Sequence, residues 1–400
     1  MNRVVVTGLG TINPLGNNVI STWEAAQKGN NNFEYYEKLN VTISRVRAEL
    51  SDFLSKREQG YQDRVSQLAM VSTMEAVNDS ALLQKDLDRA IIGVGTSIGG
   101  VNTTVEETKK ATQKSIKAIG IRTIIKMLPN MIASNLSIKL GIHGSITTYS
   151  AACASGSVSI GETFRKLQNG DADVGIVIGA ESCLNDEAIE AFKKLGVLSD
   201  NQDLDKASVP FMNNRSGFVM SEGASTIILE NMGHALKRNA RIYGEILGYG
   251  NYSDGLSLVA PSSEGMILAM KQAILDAKID AQQVAYINAH GTSTIANDRE
   301  EANAISSIFS SNKTKVSSTK AIFGHMLGGS GTLEALLCMK MLEKGICIQQ
   351  FGINNTNLDN TSENFSNMLL RSNSSLKNYV MSNSFAFGGT NAVLIFGKVN

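Results

Sequence analysis

Cys153 stands in "TTYSAACASGS" (Thr147 to Ser157), a thiol set among alanine, serine and glycine. Such a thiol either fills the space between two closely packed elements or reacts. A reacting thiol needs room for a substrate and a field that favours thiolate, which the free N–H groups at a helix start can supply. Histidine is scarce, with four in 400 residues. His290 ends "VAYINAH" and runs into "GTST", and His325 lies in "STKAIFGHMLGG", five residues after Lys320. Ligand crevices form at strand ends in open α/β sheets, so the two histidines could converge on one cavity, although either alone also reads as a turn residue. His143 in "GIHG" and His234 in "GHALKRN" read as surface residues. Near the C-terminus, "NSFAFGGTN" (Asn383 to Asn391) places paired glycines after two phenylalanines. By itself this is a tight turn between strands. Beside a reacting thioester the same backbone could aim an N–H at a developing oxyanion, with a phenylalanine controlling access.

The elements that must position these groups alternate short β-branched runs with longer helical stretches, an α/β pattern. The strand "VVVTG" is followed by helices near Val19 to Lys28 and Gln62 to Asn78, the strand "AIIGVGTS" and a helix near Asn130 to Leu140. After Cys153, "GSVSIGETFRKLQNG" is apolar at helical spacing and leads to the buried strand "VGIVIGAES", which puts the thiol at a strand-to-helix junction. From about Gly244 the plan restarts. The strand "GEILGYGN", a helix near Ser263 to Ala277, "VAYINAHGT", a helix near Glu300 to Phe309, "TKVSSTK" and a helix near Gly331 to Glu343 come first; the strands "YVMSNS" and "NAVLIFGK" close the chain. Two halves of similar element order, residues 1–243 and 244–400, suggest duplication, and only four prolines argue against a flexible linker.

Composition narrows the function. Lys plus Arg and Asp plus Glu are 37 each, for a formal net charge of zero, which gives no general field for nucleic acid or an anionic membrane. No apolar run approaches the roughly 20 residues of a membrane span, and the opening "RVVVTG" leaves no room for a signal peptide, so a cytoplasmic protein is expected. Cys153, Cys183, Cys338 and Cys347 lack CxxC spacing and should be thiols, not disulfides or metal ligands. "GLGTINPLG" has glycines at 8, 10 and 16 and so misses the third glycine of a dinucleotide fingerprint. "GTSIGG" and "GHMLGGSG" lack the Lys-Ser/Thr ending of a phosphate loop.

Taken in order, "SAACASG", "NAHGTST", "STKAIFGH" and "NSFAFGGTN" resemble the beta-ketoacyl-acyl-carrier-protein synthases of the elongating type, and "VVVTGLGTINPLG", "GDADVGIVIGAES" and "GFVMSEGAS" fit the same family. The resemblance covers essentially the whole chain. It implies the thiolase fold, a duplicated five-layered α-β-α-β-α body, normally a homodimer. It also implies condensation of an acyl group with malonyl on an acyl carrier protein, with loss of CO₂ and without cofactor or metal. Carried over by residue, Cys153 resembles the acyl-accepting nucleophile. His290 and His325 resemble the pair serving decarboxylation and condensation. Lys320 resembles the lysine that shapes their field, with Glu301 in "DREE" as its partner. Phe387 resembles the gating phenylalanine, whose N–H joins that of Cys153 in an oxyanion hole. Thr292 and Thr294 fall where the family contacts the pantetheine arm, and Ile98 where it limits pocket depth. Lys193 and Lys194 are candidates for docking the carrier.

Three departures bear on substrate and not on these groups: the less acidic "PFMNNRSGF" (Pro210 to Phe218), Ile295 where proline is common, and Ala386 where glycine is common. They leave fatty-acid and polyketide or polyene elongation both open and raise the chance of a dedicated secondary-metabolite paralogue over the main fatty-acid enzyme. Rival readings are a degradative thiolase, which would need a second cysteine near His325, and a silent chain-length partner, which would lack the nucleophile. A starter-unit synthase working on coenzyme A would pair cysteine and histidine with an asparagine.

Overall fold

The computed structural model describes residues 1–353, 358, 363–376 and 379–399. Ten strands form one mixed sheet. In the first half, β1 (Val4–Ile12), α1 (Arg64–Ser80), β2 (Ile91–Gly95), α2 (Met131–Leu140), β3 (Ile146–Tyr149), α3 (Ser155–Asn169), β4 (Val174–Glu181) and β5 (Gly223–Asn231) follow one another. In the second half the sequence is β6 (Gly244–Ser253), α4 (Ser263–Ala277), β7 (Val284–Asn288), α5 (Ile295–Ile308), β8 (Lys315–Ser317), α6 (Ser330–Lys344), β9 (Tyr379–Phe385) and β10 (Thr390–Gly397).

Across the sheet the order is β8-β7-β9-β10-β6-β1-β5-β4-β2-β3. Each half therefore has the same layout: three parallel strands, then two antiparallel ones. The halves join where β1 and β6 run antiparallel, with Val4, Val5 and Val6 opposite Ile246, Glu245 and Gly244.

Burial explains the layering. The strands are apolar on both faces, and successive side chains go to different cores. Ile91, Val177 and Ile227 face one core while Ile92, Ile176, Ile178 and Ile228 face another that holds residues of α1 and α2. In the second half Tyr286, Leu394 and Phe396 share the first core, and Ile287, Met381, Val393 and Ile395 face a third with α4 and α5. The shared core contains α3 and α6, which pack on strands of both halves. Residues Ser330 to Leu342 of α6 are all buried, as expected of a helix covered on every side. The result is five layers: helices, half-sheet, central helix pair, half-sheet, helices.

The central pair crosses at small residues. A Cβ on Gly156 would stand 2.8 Å from Thr332 Oγ1, and one on Gly331 would stand 2.7 Å from the Ser157 nitrogen. The contact is reciprocal, because Gly156 and Gly331 are each the second residue of their helix. Only glycine lets the backbones approach this closely.

Several helix ends shift from expectation. The helix expected near Gln62 runs from Arg64, and the one expected from Glu300 begins at Ile295.

Candidate active site

The thiol of Cys153 lies between β3 and α3, in a turn whose preceding residue, Ala152, has φ +46°. The left-handed region costs an alanine about 1–2 kcal/mol, and strain of this kind persists where surrounding bonds over-determine the turn. Here Ser155 Oγ accepts the Ala151 N–H at 2.8 Å and donates to the Ala152 carbonyl at 2.7 Å. The small residues after Cys153 thus serve the close crossing of α3 and α6 as well as the space at the sulfur. Burial pushes the Cys153 thiol up to about 12. Lys320 and the backbone N–H groups of Phe387 and Cys153 pull it down, and the nearby Glu181 carboxyl adds to the rise. The thiolate expected from a helix start is therefore disfavoured, because desolvation outweighs the donors.

His325 occupies the corresponding turn of the second half, between β8 and α6. Leu327, three residues before α6 as Ala152 is three before α3, has φ +43°. The Ser330 hydroxyl lies 2.9 Å from His325 Nδ1 and donates to it in the tautomer that keeps hydrogen on Nε2. His325 is 1% exposed, and its Nε2 is buried with no hydrogen-bond partner among the described residues. His290 ends β7. Lys320 Nζ stands 3.3 Å from its Nδ1, and a lysine donor there leaves the ring hydrogen on Nε2. The two imidazoles are 5.4 Å apart at 83°, with the Phe218 ring at 5.0 Å from His325 and the Phe385 ring at 6.0 Å from His290. Burial and then Lys320 hold both well below the usual histidine range, with His325 also acting on His290, so both rings are neutral near pH 7.

Lys320 is not paired with Glu301, as expected from the resemblance. Its ammonium bonds Glu334 on α6, and both are buried. Glu301 instead accepts the backbone N–H groups of His290 at 2.8 Å and Gly291 at 2.7 Å, and a side-chain N–H of Asn383 at 3.2 Å. Glu301 lies on α5 under the loop after β7, whereas Glu334 faces Lys320 from α6. Burial raises both carboxyls to about 7.

Cys153, His290, His325, Thr292, Thr294 and Phe387 line one cavity of about 260 Å³. Thr292 and Thr294 bond each other at 2.9 Å. Ile98 does not line it. Glu181 gathers the N–H groups of Ser97 at 2.7 Å and Ile98 at 3.3 Å, and the Ile98 side chain is left 39% exposed. Lys193 and Lys194 end the helix Asp186–Lys194, exposed, just before Gly196 and Val197 of the cavity wall. Lys193 bonds the Leu39 carbonyl at 2.7 Å, and Lys194 pairs with Glu190 at 3.4 Å. His143 is exposed beside Asp88, as read. His234 is half-buried, not a surface residue, because it bonds the fully buried Glu230 and faces Asp86 at 3.5 Å. All four cysteines are buried free thiols.

The sequence reading passed over Glu334, Ser330 and Glu181. Glu334 had a signal: it is the one acid in the run "SGTLEALLCMK", and a lone charge in a buried helix needs a partner. Ser330 and Glu181 bond through turns whose shape no spacing reveals.

Comparisons with known proteins bear on the whole chain. The family described as "Beta-ketoacyl synthase, N-terminal domain" matches residues 1–235, and "Beta-ketoacyl synthase, C-terminal domain" matches residues 243–354. The chain is 36% identical over 412 residues to a 3-oxoacyl-[acyl-carrier-protein] synthase 2 of Staphylococcus aureus (strain N315), covering 99% of this chain and 98% of that one. The crystal structure of a beta-ketoacyl synthase from Burkholderia phymatum STM815 superposes with a TM-score of 0.93 at 30% identity, over 100% of both chains. A ketosynthase solved with its type II PKS acyl-carrier protein and bound to a hexaketide superposes with a TM-score of 0.89 at 25% identity, again over 100% of both chains. Among the described residues no helix is long and apolar enough to cross a membrane.

Proposed function

The chain belongs to the beta-ketoacyl synthase family, and from that premise we propose that it condenses an acyl group held on Cys153 with malonyl on an acyl carrier protein, releasing CO₂ and giving a 3-oxoacyl carrier. The observation that carries the reading is the meeting of a thiol and two neutral imidazoles, one with an unpartnered buried Nε2, in one cavity.

In the first step the Cys153 sulfur attacks the acyl thioester. The oxyanion sits against the N–H groups of Cys153 and Phe387, which already point at the thiol. The carrier thiol departs with the proton that Cys153 gives up, so thioester and thiol exchange places. In the second step malonyl loses CO₂, and the electron pair of the broken C–C bond forms an enolate whose oxygen accepts from Nε2–H of His290 and His325. That carbon attacks the acyl group on Cys153, the C–S bond breaks, and the sulfur regains a proton. The two imidazole donors and the oxyanion hole supply this chemistry with the substrates on phosphopantetheine. Lys320 acts from behind, by fixing the tautomer of His290.

Thr292 and Thr294, on the cavity wall, are assigned to the pantetheine arm. The carrier is assigned to the face holding Lys193 and Lys194. The relatives named as synthases, together with Cys153 itself, do not favour a silent chain-length partner. A homodimer is proposed on the free outer edge of β3, where Ile146 is exposed and Ile138 on α2 is more so. The reaction is placed in the cytoplasm. Elongation by Cys153→Ala tests the reading: the variant should fold and transfer no acyl group, and retained elongation would reject Cys153 as nucleophile.

A further inference from the structure

The loop from His290 to Ile295 carries one imidazole and both threonines of the cavity, and buried charged side chains hold several of its peptide groups from behind. Glu301 takes the N–H groups of His290 and Gly291. Asp298, one turn earlier on α5, takes those of Thr292 and, at 2.8 Å, Phe211. Ser293 sits at φ +69° and its hydroxyl accepts the Val209 N–H at 3.0 Å. The loop's last two carbonyls are held by Arg215. Its Nε donates to Thr294 O at 3.1 Å, its Nη2 to Ile295 O at 3.0 Å and its Nη1 to Met212 O at 2.7 Å. Arg215 Nε lies 3.7 Å from Asp298 Oδ2, with the two side chains 3% and 0% exposed.

Arg215 does not line the cavity, and it comes from the segment between β4 and β5, in the first half of the chain. The loop it holds belongs to the second half. We infer that Arg215 is a positioning residue, which sets Thr292 and Thr294 for the carrier's arm and locks that part of the site across the junction of the halves. This inference rests on the condensing reading. A guanidinium suits the task because its planar fork reaches two successive carbonyls while its charge faces Asp298. Lysine offers one point donor.

The test compares wild type, Arg215→Gln and Arg215→Lys in elongation, varying malonyl carrier protein, and in alkylation of Cys153 by iodoacetamide, a probe too small to use the arm. In Arg215→Gln KM for the malonyl carrier should rise about tenfold, the equivalent of about 1.4 kcal/mol, while in both variants kcat stays within about twofold and the alkylation rate does not change. Lysine should restore less than half of the loss. If Arg215→Gln does not fold, Arg215→Lys, which keeps the charge beside Asp298, carries the comparison. An unchanged KM, a fall in kcat alone, full rescue by lysine, or altered alkylation would overturn the clamp. A wild type that does not elongate would instead count against the condensing reading.

Discussion

At the residue scale, the site depends on groups whose protonation is set by burial. A thiol pushed up to about 12 presents a thiolate fraction that grows about tenfold per pH unit through the neutral range. Alkylation of Cys153 in the empty protein, followed on its peptide, should therefore keep climbing from about pH 7 to about pH 9. A plateau in that range would mean that the helix start and Lys320 overcome desolvation. The histidine assignment predicts a different result. In Cys153→Gln, acyl transfer is lost, yet CO₂ release from malonyl carrier should persist because the enolate is held by other groups. Silence of that variant, with the fold intact, would count against His290 and His325 as enolate donors.

At the element scale, α6 does two jobs, packing on α3 and holding Lys320 through Glu334. Glu334→Gln leaves a buried ammonium without its counter-charge and should destabilise the fold by about 3–5 kcal/mol in denaturant titration. A change below about 1 kcal/mol would show that water reaches the pair. Gly331→Ala forces a methyl onto the Ser157 backbone and should cost about 1–3 kcal/mol through the parting of the central helices.

These same elements show what could be read in advance. Strand-to-helix junctions carry Cys153 and His325, and the alternation of apolar runs with helical stretches was enough to place both. What could not be read was the pairing of long side chains across layers. Lys320 reaches Glu334 and not Glu301, the partner the resemblance implied, because Glu301 is taken up by the backbone N–H groups of His290 and Gly291. The position of Ile98 also depends on a contact far along the chain, the bonds of its loop to Glu181, and the exposed side chain follows from that.

At the scale of the whole molecule, duplication places one strand-to-helix turn from each half over a shared central helix pair. Ala152 and Leu327, both in the left-handed region, mark the two turns, and Cys153, the proposed nucleophile, comes from one half while both histidines come from the other. The proposed docking of a carrier on Lys193 and Lys194, beside the cavity wall, would rest on local charge, since the chain has zero formal net charge. Carrier affinity should therefore weaken as salt rises and become less salt-dependent in a Lys193→Ala/Lys194→Ala double variant. An affinity that is flat between low and physiological salt would place docking on other contacts.

The most direct test of the central claim is peptide mapping of the protein after incubation with an acyl carrier, before and after malonyl carrier is added. The account predicts one acyl group on the peptide bearing Cys153, discharged on addition of malonyl carrier as one 3-oxoacyl carrier and one CO₂. An acyl group found on another residue, or one that stays on Cys153 while CO₂ is released, would contradict it.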